Sequence, residues 1–195
     1  DTLQSGVGAP SMLQDAESAH EEAVINNVAF MESIHSKSYS TIFSTFCSPT
    51  KIDSIFEWIE SNEYLQYKDN RIKEAYEGDN PYKRKIASVM LESFLFYSGF
   101  YTPLRYLGMG KMTNTAELIK LIVRDETVHG TFFGYKYRKS VEKLPKHEQD
   151  ELFTWTMELA SDLWANELLY TEELYGEIGL VEDVTTFLEY NLNKT

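Results

Sequence analysis

An all-α helical bundle is the fold this sequence predicts, and three observations predict it. Apolar residues recur at helical spacing over long stretches, with almost no alternating strand pattern. Breakers separate those stretches: Ser48-Pro49, Asp79-Asn80-Pro81, Gly108 with Gly110, Leu144-Pro145, and Gly176 with Gly179. Two Glu-x-x-His sequences, Glu32-Ser33-Ile34-His35 and Glu126-Thr127-Val128-His129, lie inside apolar, helix-forming runs.

The elements follow in order. Residues 1–4 read as the end of a helix, and Ser5-Gly6-Val7-Gly8-Ala9-Pro10 reads as a loop. A long helix is expected from about Ser18 to Cys47, opened by a capping box of Ser18 and Glu21 and stopped by Ser48-Pro49. Lys51 to Asn62 reads as a shorter helix, with another up to about Gly78. Asp79-Asn80-Pro81 starts a helix that continues to roughly Leu107. Pro103 should kink it near Gly99, because its missing N–H would have bonded that carbonyl. Asn114 and Glu117 form a second candidate capping box, for a helix running to about Glu142. Further helices span about Lys146 to Tyr175 and from about Glu182 onward. Residues 1–195 are expected to form a single domain. The sequence opens at Asp1 without an initiator Met and stops at Thr195 inside a continuing helical pattern, so the middle of a longer protein is expected.

Composition narrows the class. The chain is 43% hydrophobic and 25% charged, which suits a globular fold. No apolar run reaches membrane-spanning length, and no signal-peptide pattern opens the chain. A net charge of −13 argues against a nucleic acid or an anionic membrane as the main partner. The single cysteine, Cys47, excludes an intramolecular disulfide and fits a reducing cytosol, hence a cytoplasmic location. Its neighbours Phe43 and Phe46 predict a buried, inert thiol. Most of the 31 acidic residues read as solvated helix faces.

Some of that acidity reads as internal. Residues three apart on a helix share a face, with Cβ atoms roughly 5–6 Å apart. Each Glu-x-x-His can therefore aim one carboxylate and one imidazole in the same direction. Two such helices facing each other, with one further carboxylate from each of two more helices, make the carboxylate-bridged dimetal site of ferritin-like bundles. Glu92 and Asp1 are candidates for the remaining carboxylates. Glu92 sits in Val89-Met90-Leu91-Glu92-Ser93-Phe94-Leu95-Phe96, where a charge is costly unless paired or metal-bound. Phe30, Ile34, Ile42 and Phe43 surround the first motif, with Val24 and Val28 upstream; Leu118, Leu121, Ile122 and Val123 precede the second. A third copy, Glu17-Ser18-Ala19-His20, stands among polar residues at a helix start and reads as capping and solvent-facing. The bland alternative for the buried groups is a set of Glu–His or Glu–Arg hydrogen bonds. A carboxylate-rich set with one histidine per metal suits iron or manganese better than zinc or copper. Tyr39 lies one turn beyond His35 on the same face, so its phenol can approach one metal. Phe96, Phe100 and Ile122 have the spacing to wall that phenol with apolar surface, although a packed core tyrosine would look the same.

These residues resemble a known family. Met31-Glu32-Ser33-Ile34-His35-Ser36-Lys37-Ser38-Tyr39-Ser40, Leu91-Glu92-Ser93-Phe94-Leu95-Phe96-Tyr97-Ser98-Gly99-Phe100 and Leu121-Ile122-Val123-Arg124-Asp125-Glu126-Thr127-Val128-His129-Gly130 look like the small (β) subunit of class I ribonucleotide reductase, most like class Ib. The Gly6-Val7-Gly8-Ala9-Pro10 and Gln14-Asp15-Ala16 segments strengthen the likeness to class Ib. The resemblance implies that Asp1, Glu32 and His35 hold one metal and Glu92, Glu126 and His129 the other, with Glu32 and one second-site glutamate able to bridge. It implies that Tyr39 stores a tyrosyl radical and that Asp125, bonded to His35, lies on the route by which the radical leaves. Ser93 and Tyr97 resemble the class Ib residues near a channel that admits oxidant from a flavodoxin-like activator protein. A large (α) subunit partner and a homodimer are also implied. The family's relay tryptophan ahead of the first aspartate ligand and its C-terminal docking tail have no counterpart in this sequence, whose first tryptophan is Trp58.

The expected function is that of a radical-generating subunit of ribonucleoside-diphosphate reductase. Two competitors remain at this point: another ferritin-like dimetal oxidase acting directly on a small or lipid substrate, and a metal-storage or purely structural bundle. Only the first expectation requires a radical at Tyr39.

Overall fold

The computed structural model describes residues 1–195. The chain is helical with no strand, as its periodicity requires, and divides into two compact units, Asp1–Glu77 and Gly78–Thr195.

The first unit opens with a π turn, Gln4–Gly8, that runs into α1 (Ala9–Leu13). Helices α2 (Ala19–Phe46), α3 (Pro49–Ser61) and α4 (Glu63–Glu77) follow. The π turn packs on α2 and α4, and α1 on α2. The loop expected over Ser5–Pro10 is thus helical. Pro10 is the second residue of α1, directly behind the π turn, so the helix runs through it without a break. Gly8 lets α4 come close: a Cβ there would stand 2.7 Å from Tyr76 Cζ and overlap the Gln4 side-chain oxygen. Tyr76 Oη donates to Gln4 Oε1 at 2.6 Å, with both residues buried.

Ser18 caps α2 as expected, its Oγ accepting from the Glu21 N–H at 3.2 Å. The Glu21 carboxylate accepts from the Glu17 N–H at 3.0 Å. The buried stripe of α2 is Glu21, Ile25, Val28, Glu32 and His35, in alternating four- and three-residue steps. Val24, Phe30 and Ile34 are 39%, 60% and 43% exposed, so half of the apolar flank expected to line the motif faces outward. Ser48 both follows α2 and caps α3, accepting from the Lys51 N–H. Cys47 is half-buried at the end of α2, beside an exposed Phe46, and is therefore not the fully buried thiol its neighbours predict.

The second unit contains α5 (Pro81–Met90), a π turn (Leu91–Leu95), α6 (Tyr97–Gly108), α7 (Thr113–Val141), α8 (Lys146–Tyr175) and α9 (Val181–Leu192). Asn80 caps α5, its Oδ1 accepting from the Tyr82 and Lys83 N–H groups. Helices α5 and α6, and the π turn between them, pack along α7, while α9 lies on α6 and α8. Ile86, Met90, Phe94, Ile119, Phe133, Leu159, Leu163 and Leu188 are buried there. The departure from α-helical bonding falls at Leu91–Leu95, upstream of the kink expected at Gly99: the Phe96 N–H bonds the Leu91 carbonyl, five residues back. The second capping box is also absent. Gly110 and Met112 both take positive φ, which starts α7 at Thr113 and leaves Asn114 inside the first turn.

Candidate metal centre

Each unit carries a triad of metal-ligating side chains. In the first, α2 presents Glu32 (0% exposed) and His35 (2%) on one face, with His35 Nδ1 3.6 Å from Glu32 Oε1. Asp1 stands just ahead of the π turn, held by the Ser5 N–H on its carbonyl at 2.8 Å. Asp1, Glu32 and His35 each offer a ligand atom, all within 4.8 Å of one another.

In the second unit, α7 presents Glu126 and His129, and the π turn presents Glu92. His129 Nδ1 lies 3.1 Å from Glu126 Oε2 and 3.9 Å from Glu92 Oε2. Again the three ligand atoms fall within 4.8 Å of one another. Both glutamates are fully buried. The close approach of α7 to the π turn depends on Gly130. A Cβ there would overlap the Ser93 hydroxyl and stand 3.4 Å from Glu92 Cβ.

Carboxylates gathered this tightly out of water repel one another unless cations or protons intervene. Oxygen donors with one imidazole per triad suit a hard or borderline cation such as iron or manganese. The donor sets therefore fit metal binding. The third Glu-x-x-His makes the contrast, since Glu17 and His20 are exposed.

The other expected residues fall as follows. Tyr39 is half-buried on α2, one turn after His35. Phe100 and Ile122 are buried, the latter one turn before Glu126. Phe96 is half-buried, with its ring 6.2 Å from that of Phe100. Asp125 is half-buried on α7, with Arg124 Nε 3.9 Å from its Oδ1. Ser93 sits on the π turn and lines a groove of about 730 Å³ with Gly130, Gly134, Tyr137, Met157 and Trp164. Tyr97 is the first residue of α6. Sequence reasoning missed Gly130, Gly8 and the Gln4–Tyr76 bond; the only signal was Gln4 lying three residues after Asp1.

An all-helical chain that buries glutamates and histidines at three-residue spacing defines a carboxylate–histidine metal-binding class. Within that class the chain belongs to the ribonucleotide reductase small-chain family, whose model matches residues 1–195. It is 52% identical to ribonucleoside-diphosphate reductase 2 subunit beta of Escherichia coli over 194 residues, covering all of this chain and 61% of that protein. It is 53% identical to ribonucleoside-diphosphate reductase subunit beta nrdF2 of Mycobacterium tuberculosis, again over the whole chain and 60% of the relative. The crystal structure of Streptococcus sanguinis dimanganese(II)-NrdF superposes with a TM-score of 0.97 at 53% identity, covering 99% of this chain and 68% of that one. The chain therefore spans about three fifths of the length of these curated relatives. The ferritin-like, all-α fold expected from the motifs is the fold of this family. No helix is long and apolar enough to cross a membrane.

Proposed function

We propose that this chain is the core of a radical-generating small subunit of ribonucleoside-diphosphate reductase. Residues 1–195 act as a single ferritin-like domain with a carboxylate-bridged dimetal centre. Asp1, Glu32 and His35 would hold one metal and Glu92, Glu126 and His129 the other, with Glu32 and a second-triad glutamate able to bridge. Iron or manganese bound there supplies the oxidising power once activated by an oxygen-derived oxidant.

Tyr39 then loses one electron and its phenolic proton and becomes a neutral radical. Phe96, Phe100 and Ile122 keep water and reductants from the phenol. Asp125 orients His35 through its second ring nitrogen and carries the radical's exit route. A large subunit uses the radical to reduce ribonucleotides to deoxyribonucleotides, so substrate binds there and not here. A homodimer, a cytoplasmic location and a flavodoxin-like activator feeding oxidant past Ser93 and Tyr97 complete the reading. The groove beside Ser93 supports that entry.

The observation that carries this reading is the pair of triads, buried at every ligand but the half-buried Asp1, with Tyr39 one turn beyond His35 on the same helix. Another dimetal oxidase or a storage bundle has no use for that phenol. Electron paramagnetic resonance of the full-length protein, loaded with Fe(II) and exposed to oxygen, tests it. A long-lived tyrosyl signal is expected, and Tyr39→Phe should abolish it while both metals stay bound. A long-lived tyrosyl signal that survives in that variant would overturn the assignment.

A further inference from the structure

Six aromatic rings in the second unit stand in one unbroken line. Phe96 and Phe100 are 6.2 Å apart between centroids, Phe100 and Tyr97 5.5 Å, Tyr97 and Phe187 5.8 Å, Phe187 and Tyr101 5.6 Å, and Tyr101 and Tyr175 6.1 Å. The line begins directly after the π turn that carries Glu92. It comprises three phenols, which one-electron oxidants attack, and three phenylalanines, which they do not. The phenylalanine rings fill the gaps and keep every step between phenols short.

A phenol yields an electron readily only where its proton can go, because the oxidised phenol is a strong acid. The acceptors along the line differ. Tyr175 Oη donates to the Ser98 carbonyl at 2.6 Å and lies 3.3 Å from Thr102 Oγ1. A backbone carbonyl is no base. Tyr101 is half-buried and stands beside Asp183, a carboxylate exposed in the first turn of α9. Arg105, one turn further along α6, faces the same phenol. Proton loss is thus provided for at Tyr101 and not at Tyr175.

We propose that Tyr97 and Tyr101 form a one-electron branch line, with the Tyr101–Asp183 pair as its outlet, which empties the metal centre of oxidising equivalents when Tyr39 does not take them. The oxidant is the activated dimetal centre of the proposed function, on which this inference rests. Tyr97 gives an electron inward and is refilled from Tyr101, so it ends as it began. At Tyr101 the O–H bond breaks: the electron goes to Tyr97 and the proton to the Asp183 carboxylate. The oxidant has gained one electron, Tyr101 is a neutral radical and Asp183 a carboxylic acid. A one-electron reductant of the thiol or ascorbate class in solution returns the electron, and Asp183 returns the proton. The branch spares the buried glutamates and histidines from oxidation during failed turnovers.

The test uses the full-length, iron-loaded protein treated with hydrogen peroxide, freeze-quenched for electron paramagnetic resonance, with ring-deuterated tyrosine to identify tyrosyl signals. A nitroso spin trap followed by peptide mass spectrometry locates the radical without reference to turnover. Tyr39→Phe should show a short-lived tyrosyl signal and a trapped adduct on the Tyr101 peptide. Both should be lost in Tyr39→Phe/Tyr101→Phe, and Tyr39→Phe/Asp183→Asn should lose the signal although the ring remains. Metal content should be equal throughout. A short-lived signal indifferent to Tyr101 and Asp183, or no second signal, overturns the branch line. Absence of the Tyr39 radical from the unsubstituted protein overturns the proposed function and the branch line with it.

Discussion

The Ser93 hydroxyl fills the space that a side chain at position 130 would need. Gly130 follows His129 on α7, and Ser93 follows Glu92 on the π turn, so the contact sets how closely two metal-ligating residues approach. Gly130→Ala should overpack this junction at a cost of about 1–3 kcal/mol and weaken metal binding by the second triad. Ser93→Ala added to it removes the colliding oxygen and leaves Ser93 Cβ at an ordinary 3.7 Å. Metal content by atomic absorption should fall in the single variant and recover in the double. Failure to recover would place the defect elsewhere.

His35→Ala or Glu126→Ala should lower metal content sharply, whereas Glu17→Ala and His20→Ala should leave it unchanged. The motifs are the same in spacing, but the first two residues are buried and the last two exposed. Equal loss from all four would show that burial is not what selects the ligands.

Manganese activation should depend on a partner. Oxygen oxidises Fe(II) at carboxylate sites but does not readily oxidise Mn(II), so the manganese-loaded, full-length protein should form no Tyr39 radical in air alone. A reduced flavodoxin-like protein should restore it, and a bulky residue at Ser93 should block that rescue while sparing metal binding. Radical yield from Mn(II) and air without any partner would refute the dependence.

Alkaline pH should loosen the second unit. Burial, then the nearby Glu167 charge, push the Tyr170 phenol well above its ordinary 10.0. Burial, with smaller contributions from Tyr101 and Glu167, raises Tyr175 against the opposing Thr102 hydrogen bond. The folded chain therefore holds these protons more tightly than the unfolded chain does. That stability is whole below 10.0 and falls as the pH climbs from there through the folded values. Urea denaturation should show a steep loss above this point and a shallower one in Tyr170→Phe. Identical slopes in the two proteins would count against the linkage.

Helix faces were legible in the sequence wherever burial and motif coincided. Glu32, His35, Glu92, Glu126 and His129 could be read because a charge in an apolar helix announces a reason for being there. Phe30 and Ile34 misled because an exposed apolar residue looks like a core residue in one dimension. The Ser5–Pro10 segment misled because Gly and Pro are breakers only on average. Here Pro10 directly follows a π turn within a continuous helix, and Gly8 serves a close packing contact with Tyr76, a residue far away in sequence. Asn114 missed its capping role because two left-handed residues, Gly110 and Met112, moved the helix start. Such effects belong to the assembled chain, and local pattern does not carry them.

The π turn at Leu91–Leu95 has a genealogical consequence. Its hydrogen bonds reach back five residues where an α-helix reaches four. It is therefore a one-residue insertion hidden inside a helix, invisible to any search for gaps in loops. Deleting a single residue there would let the helix close in regular form with the downstream faces kept, whereas deleting one from α5, where no extra residue is stored, would turn everything downstream by about 100°. Phe96, Tyr97 and Phe100 would then point to a different quarter of the fold. Lineages of this protein can lengthen or trim their surface loops freely, but this helix has a reading frame.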